Sequence, residues 1–172
     1  RRRADLHIES ELQSSARFTW DLLAAGPPPS WQGPVVLRNT LLATFVAGDY
    51  LSSGVLQSMG LASTKYAKVT AWEIGQSVFR GEVIGDPLTV WANRCIPYGI
   101  ASDRFDSEGL PAQRVDFIRD NNLVAFSASQ RYADYLGLPP TGDFGGVELS
   151  PGKWENSTLV SEPYVEIALF SW

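Results

Sequence analysis

Apolar residues between Glu9 and Ala25 recur at helical spacing, with Leu12, Ala16, Trp20 and Leu23 on one face. Ser10 stands where a helix cap belongs, and Gly26-Pro27-Pro28-Pro29 cannot continue a helix. The proline run reads as a stiff connector. Residues 1–29 are therefore expected to form a helical junction from an upstream segment, and residues 30–172 the domain proper.

The pattern then shortens. Val35-Val36-Leu37 predicts a buried strand. Asn39 or Thr40 can cap a helix through Leu41, Leu42, Phe45, Val46, Tyr50 and Leu51. Ser58 to Val69 mixes small and polar residues and reads as a loop, and Leu88 to Asn93 as a strand. A hairpin is the clearest local signal: Val115, Phe117 and Ile118, then Asp120-Asn121-Asn122, then Leu123 to Phe126. The two asparagines tolerate the positive φ of a tight turn. Ser127 or Ser129 can cap a helix from Gln130 to Leu136, with Gly137 just past its end. Residues 139–146 read as loop, and Val147 to Leu149 and Tyr164 to Phe170 as strands. Helices and strands do not alternate regularly. The expected class is α+β, with a mixed or antiparallel sheet and a few packed helices.

Composition narrows the function. The 172 residues are 44% apolar, enough for one domain with a sizeable core. A net charge of -5 gives nucleic-acid binding no electrostatic support, and Arg1 to Arg3 read as a solvated end. No apolar run nears the ~18 residues of a membrane span. Cys95 is the only cysteine, which excludes an intrachain disulfide and points to a reducing compartment. The chain lacks an initial Met and stops at Phe170-Ser171-Trp172, inside an apparent strand. Both ends are expected to continue in a longer protein, with the last strand's sheet neighbours after Trp172. An apolar strand left open at that end would make the short chain self-associate.

Absences decide the chemistry. His7 is the only histidine, too few for a zinc site or for His-dependent nucleophilic catalysis. Arg94 beside Cys95 is the setting of a reactive thiolate, but the reading adopted is a small buried apolar group after a strand. Asp103, Asp106 and Glu108 form the densest carboxylate cluster. Their spacing is not that of an EF-hand. A hydrogen-bonded turn paired with Arg104 or Arg114 is expected; calcium is the alternative. Gly142, Gly145 and Gly146 match no phosphate loop.

Several motifs stand in a characteristic order. Gly75-Gln76-Ser77-Val78 comes first, then Pro97-Tyr98-Gly99-Ile100-Ala101-Ser102 and Phe105-Asp106-Ser107-Glu108-Gly109. Gln113-Arg114, the hairpin, residues 131–138 and Thr141-Gly142 follow. From Pro34 to about Gly152 this order resembles the TldD/PmbA family, also called modulators of DNA gyrase. Gly99, Asp106, Glu108, Gly109, Arg114 and Gly142 carry the resemblance as family-motif, structural positions.

The resemblance implies a C-terminal domain of a cytoplasmic metallopeptidase system that acts on small or unfolded peptides. TldD-like subunits carry a zinc-binding His-Glu-x-x-x-His on a helix, whereas PmbA- or TldE-like subunits lack it and pair with them. At the motif's place this chain has Ala43-Thr44-Phe45-Val46-Ala47-Gly48, so no metal role carries over to Ala43, Thr44 or Gly48. The expectation is a non-catalytic subunit without its own cofactor, zinc belonging to a catalytic partner. A TldD-like chain or a second copy would complete a dimer. Two alternatives stand beside it: an active peptidase with ligands from missing segments or a partner, and a calcium-stabilised binding module.

Overall fold

The computed structural model describes residues 7–27, 30–37, 39–48, 54–99 and 101–167. The chain divides between Gly33 and Pro34 into two compact units, four residues beyond the expected junction.

The first unit is built on α1 (Ile8–Ala24). Its N-cap is His7, not Ser10; the Ser10 hydroxyl instead donates to the His7 carbonyl at 2.9 Å. Glu9 and Glu11 in the first turn suit the positive end of the helix dipole. Ala25 leaves in extended geometry just before Gly26-Pro27. None of its side chains is buried: Trp20 is 75% and Leu23 77% exposed.

The second unit holds two sheets. Strands β1 (Val35–Leu37) and β6 (Val165–Ile167) pair in parallel, with Val35 opposite Val165 and Leu37 opposite Ile167. The described part of the C-terminal strand thus has one sheet partner at the start of the domain. Residues 168–170 of the expected strand lie outside the described residues.

The larger sheet is antiparallel, in the order β4 (Asn122–Leu123), β3 (Arg114–Arg119), β2 (Val90–Asn93), β5 (Val147–Leu149). The hairpin between β3 and β4 turns on Asp120 (φ 48°) and Asn121 (φ 68°), and Asn122 already belongs to the strand. The Asn121 carboxamide oxygen also accepts the Leu88 N–H at 2.7 Å. Val124 to Phe126 do not extend β4, because the Val124 and Ala125 N–H groups both turn onto the Phe117 carbonyl. Strand β2 begins only at Val90, leaving Leu88 outside it, and its register with β3 shifts between Val90 and Trp91.

Helix α2 (Asn39–Ala47) follows β1 and is shorter than expected; Tyr50 and Leu51 lie outside the described residues. The segment read as a loop, Ser58 to Val69, contains the end of α3 (Val55–Met59) and all of α4 (Ala62–Tyr66). Their small residues hide the helical period, yet Leu56 and Ala62 are fully buried, so packing rather than amphipathic contrast holds them. Helix α5 (Gln130–Leu136) has the predicted bounds, with Gly137 in the left-handed conformation after it. A short α6 (Asn156–Leu159) has no counterpart among the expected elements.

The core gathers Leu56, Ala62, Val90, Ile118, Leu123, Phe126, Ala128 and Ala133 between the helices and one face of the larger sheet. Phe117 meets the Phe144 ring edge-on at 4.5 Å. The fold is α+β, as expected. Cys95 is not buried: the Asn93 side chain accepts its N–H at 3.0 Å in the turn that leaves β2, and the residue is exposed to solvent. Among the described residues no helix is long and apolar enough to cross a membrane.

Candidate functional site

Helix α2 and the glycine after it carry the six positions to which the resemblance assigns a metal motif. Leu41 and Val46 are buried, and Phe45 and Val46 line an apolar cavity of about 350 Å³ together with Leu56, Trp72 and Val90. No residue on that cavity's wall has an ionisable side chain. A zinc ion needs three or four N, S or O donors, and Ala43, Phe45, Val46, Ala47 and Gly48 supply none from their side chains. Thr44 contributes one hydroxyl.

The backbone points the same way. Gly48 sits at φ 81°, and its N–H closes on the Thr44 carbonyl at 2.8 Å, so the helix ends where the motif's last ligand would stand. That conformation is costly for any residue with a Cβ. Gly54 packs directly against this end: a Cβ there would collide with the backbone of Ala47 and Gly48. Among the described residues no group of three His, Cys, Asp or Glu side chains gathers as metal ligands. The residues present do not fit a zinc site.

A second constellation forms around Asp106, which is 6% exposed. Its Oδ1 accepts two backbone N–H groups at 2.9 Å, those of Glu108 and Leu110. Its own N–H donates to the Leu110 carbonyl at 2.9 Å, and its carbonyl accepts the Gly109 N–H at 3.1 Å. Glu108 reaches away to accept the Gln130 N–H at 2.7 Å, at the N-terminus of α5. Gly142, at φ 76°, brings its Cα so close that a Cβ would stand 3.2 Å from Asp106 Oδ2. The Gly142 carbonyl also accepts the buried Ser127 hydroxyl at 2.7 Å. Four family-motif positions, Asp106, Glu108, Gly109 and Gly142, thus meet through one carboxylate and its neighbour.

The other two lie apart. Gly99 sits in the turn where its N–H donates to the Ile96 carbonyl at 3.0 Å and the Ser102 hydroxyl donates to the same oxygen at 2.7 Å. Arg114 stacks over the Trp91 ring at 4.6 Å and approaches Asp116 at 3.6 Å. The expected pairing of Asp106 or Glu108 with Arg104 or Arg114 is corrected, because backbone N–H groups take the carboxylates instead. The three carboxylates of the calcium alternative also diverge. Asp103 faces Arg94 at 3.7 Å, Asp106 is enclosed in its turn, and Glu108 is spent on α5.

Sequence reasoning missed a polar arrangement on the sheet. The Trp91 indole N–H donates to Glu148 at 2.6 Å, across the β2–β5 register that sets these two residues opposite each other. It missed Thr141 as well, whose hydroxyl donates to the Phe126 carbonyl and accepts the Ala128 N–H, each at 2.8 Å. Only the strand register and the loop path reveal either.

Comparison with known proteins gives this geometry its context. The family model of the PmbA/TldA metallopeptidase C-terminal domain matches residues 33–163. Metalloprotease PmbA of Escherichia coli O157:H7 is 28% identical over 130 residues, which cover 69% of this chain and 29% of that protein. A Thermotoga maritima MSB8 protein named as a candidate modulator of a DNA gyrase superposes with a TM-score of 0.63 at 24% identity, over 91% of this chain and 36% of its own. TldE from Thermococcus kodakarensis superposes with a TM-score of 0.50 at 17% identity, over 65% of this chain and 28% of its own. Those two likenesses are likenesses of fold. The chain therefore spans about a third or less of the length of each of these relatives, and over most of its own length it belongs to the PmbA/TldA metallopeptidase C-terminal domain family.

Proposed function

We propose that this chain is the C-terminal part of a non-catalytic, PmbA- or TldE-like subunit in a cytoplasmic peptidase system that processes or degrades peptides. The observation that carries the reading is α2: its motif positions hold apolar and small residues, border an apolar cavity and end in a left-handed glycine. In this reading zinc and the general base reside in a TldD-like partner, where metal-bound water attacks the peptide bond. This chain's part is to complete the dimer and help shape the space around the substrate. The name of the Escherichia coli relative, a metalloprotease, favours the rival in which ligands from other segments make this chain active.

One experiment separates the two. The full-length protein that contains this chain is mixed with a TldD-like chain carrying His-Glu-x-x-x-His, and cleavage of unfolded peptides is followed. A defined heterodimer is expected, with cleavage that vanishes when the partner's Glu is replaced by Gln. Cleavage that survives that replacement would establish the rival.

A further inference from the structure

Helices α4 and α5 start from one point. The Ala62 N–H donates to the Ser127 carbonyl and the Ser127 N–H to the Gly60 carbonyl, each at 2.9 Å, in a parallel bridge just ahead of both helices. Ala62 of α4 and Ala133 of α5 are buried in the same core, and side chains this small let the two helices pack closely.

This packing gathers three tyrosines. Tyr66 closes α4, and Tyr132 and Tyr135 stand about one turn apart on α5. The Tyr66 ring lies 5.2 Å from that of Tyr135 and 5.9 Å from that of Tyr132, centroid to centroid. Tyr132 is half-buried and packs on the core, whereas Tyr66 is 54% and Tyr135 59% exposed. The two most exposed rings are thus also the closest pair. They are the nearest to parallel as well, at 32°, while the Tyr132 and Tyr135 rings stand at 89°.

Exposed phenols at this spacing have an oxidative chemistry. A one-electron oxidant takes an electron from each phenol, and each hydroxyl proton passes to water. The unpaired electron then spreads over the oxygen and the two ring carbons beside it. Two such radicals join through a Cε–Cε bond. The hydrogen on each joined carbon moves through solvent to its phenol oxygen, which restores both aromatic rings. One hydrogen peroxide accepts the two electrons and two protons and leaves as two waters.

We propose that Tyr66 and Tyr135 form an intramolecular dityrosine bond when a peroxide-driven one-electron oxidant, of the haem peroxidase class, meets the protein. The bond would staple α4 to α5. Because it joins residues distant in sequence, it would also restrict the unfolded chain and so stabilise the fold. Tyr132 is held by the core with its ring across that of Tyr135, and is not the coupling partner.

The test treats the purified protein with hydrogen peroxide and a haem peroxidase, then maps tryptic fragments of the monomer by tandem mass spectrometry. Cleavage after Lys65, Lys68, Arg131 and Lys153 releases the fragments Tyr66–Lys68 and Tyr132–Lys153. The expected product joins these two, is two hydrogens lighter than their sum, and carries the bond on Tyr135. Tyr132→Phe should leave this product in place. Tyr66→Phe should abolish coupling of the Tyr132–Lys153 fragment. The cross-linked monomer should unfold at a higher urea concentration than the untreated one. Absence of the product, a bond placed on Tyr132, its loss in Tyr132→Phe, or coupling only between molecules would overturn the pairing. Coupling of the Tyr132–Lys153 fragment to another tyrosine at equal yield in Tyr66→Phe would do the same. An unchanged urea midpoint would overturn the staple.

Discussion

The Glu108 carboxylate accepts the backbone N–H of Gln130, 22 residues on in sequence, at 2.7 Å and so caps α5 from outside the helix. The residue in the N-cap position itself, Ser129, makes no side-chain cap bond. Glu108→Ala should therefore cost about 1 kcal/mol, the usual worth of a cap with its favourable dipole. Ser129→Ala should cost under about 0.5 kcal/mol, although its position looks like the more sensitive one. Urea midpoints of the two variants check the order.

Asp106 holds its turn with two backbone donors on one oxygen. Asp106→Ala strands both N–H groups and is expected to cost about 2–3 kcal/mol, with Asp106→Asn milder because an acceptor remains. Since backbone rather than a cation satisfies the carboxylate, thermal melts should not move with millimolar calcium in either protein. A calcium-dependent rise of several degrees in the unmutated chain alone would speak for the binding module.

Much of this is legible in the sequence where local chemistry sets the structure. The hairpin, the bounds of α5 and its Gly137 terminus follow from turn and cap residues that act within a few positions. The family order of Asp106, Glu108 and Gly142 is also readable, but what joins them is not. Pairing charges by distance along the chain points to Arg104 and Arg114, whereas Glu108 and Gln130 meet only because the fold brings α5 back to the turn. Helices α3 and α4 escape for a related reason: Ala62 is buried by neighbours distant in sequence, not by a stripe its own segment displays. For Cys95, small size suggests burial, while the Asn93 turn lifts the residue out.

Gly142 and Asp106 should behave as one unit. Gly142→Ala meets both a positive φ and the Asp106 Oδ2 atom, and is expected to destabilise by about 1–2 kcal/mol. Combined with Asp106→Ala, which removes the obstructing oxygen, its added cost should fall below that of the single change. Chemical denaturation of the two single variants and the double variant measures the coupling.

Restoring the missing motif should not restore a site. Gly48→His places a Cβ at φ 81°, and the change is expected to cost at least about 1 kcal/mol. The triple change Ala43→His, Thr44→Glu and Gly48→His should therefore lower the melting temperature and still bind no zinc tightly. Tight zinc binding with raised stability, seen by calorimetry, would show that α2 can continue past Ala47.

The central claim is that this chain supplies no catalytic metal of its own. Elemental analysis of the purified chain, expressed and dialysed with zinc present and then assayed on unfolded peptides with and without chelator, tests it most directly. Zinc far below one ion per chain and no chelator-sensitive cleavage are expected. One zinc per chain together with cleavage that a chelator abolishes would contradict it.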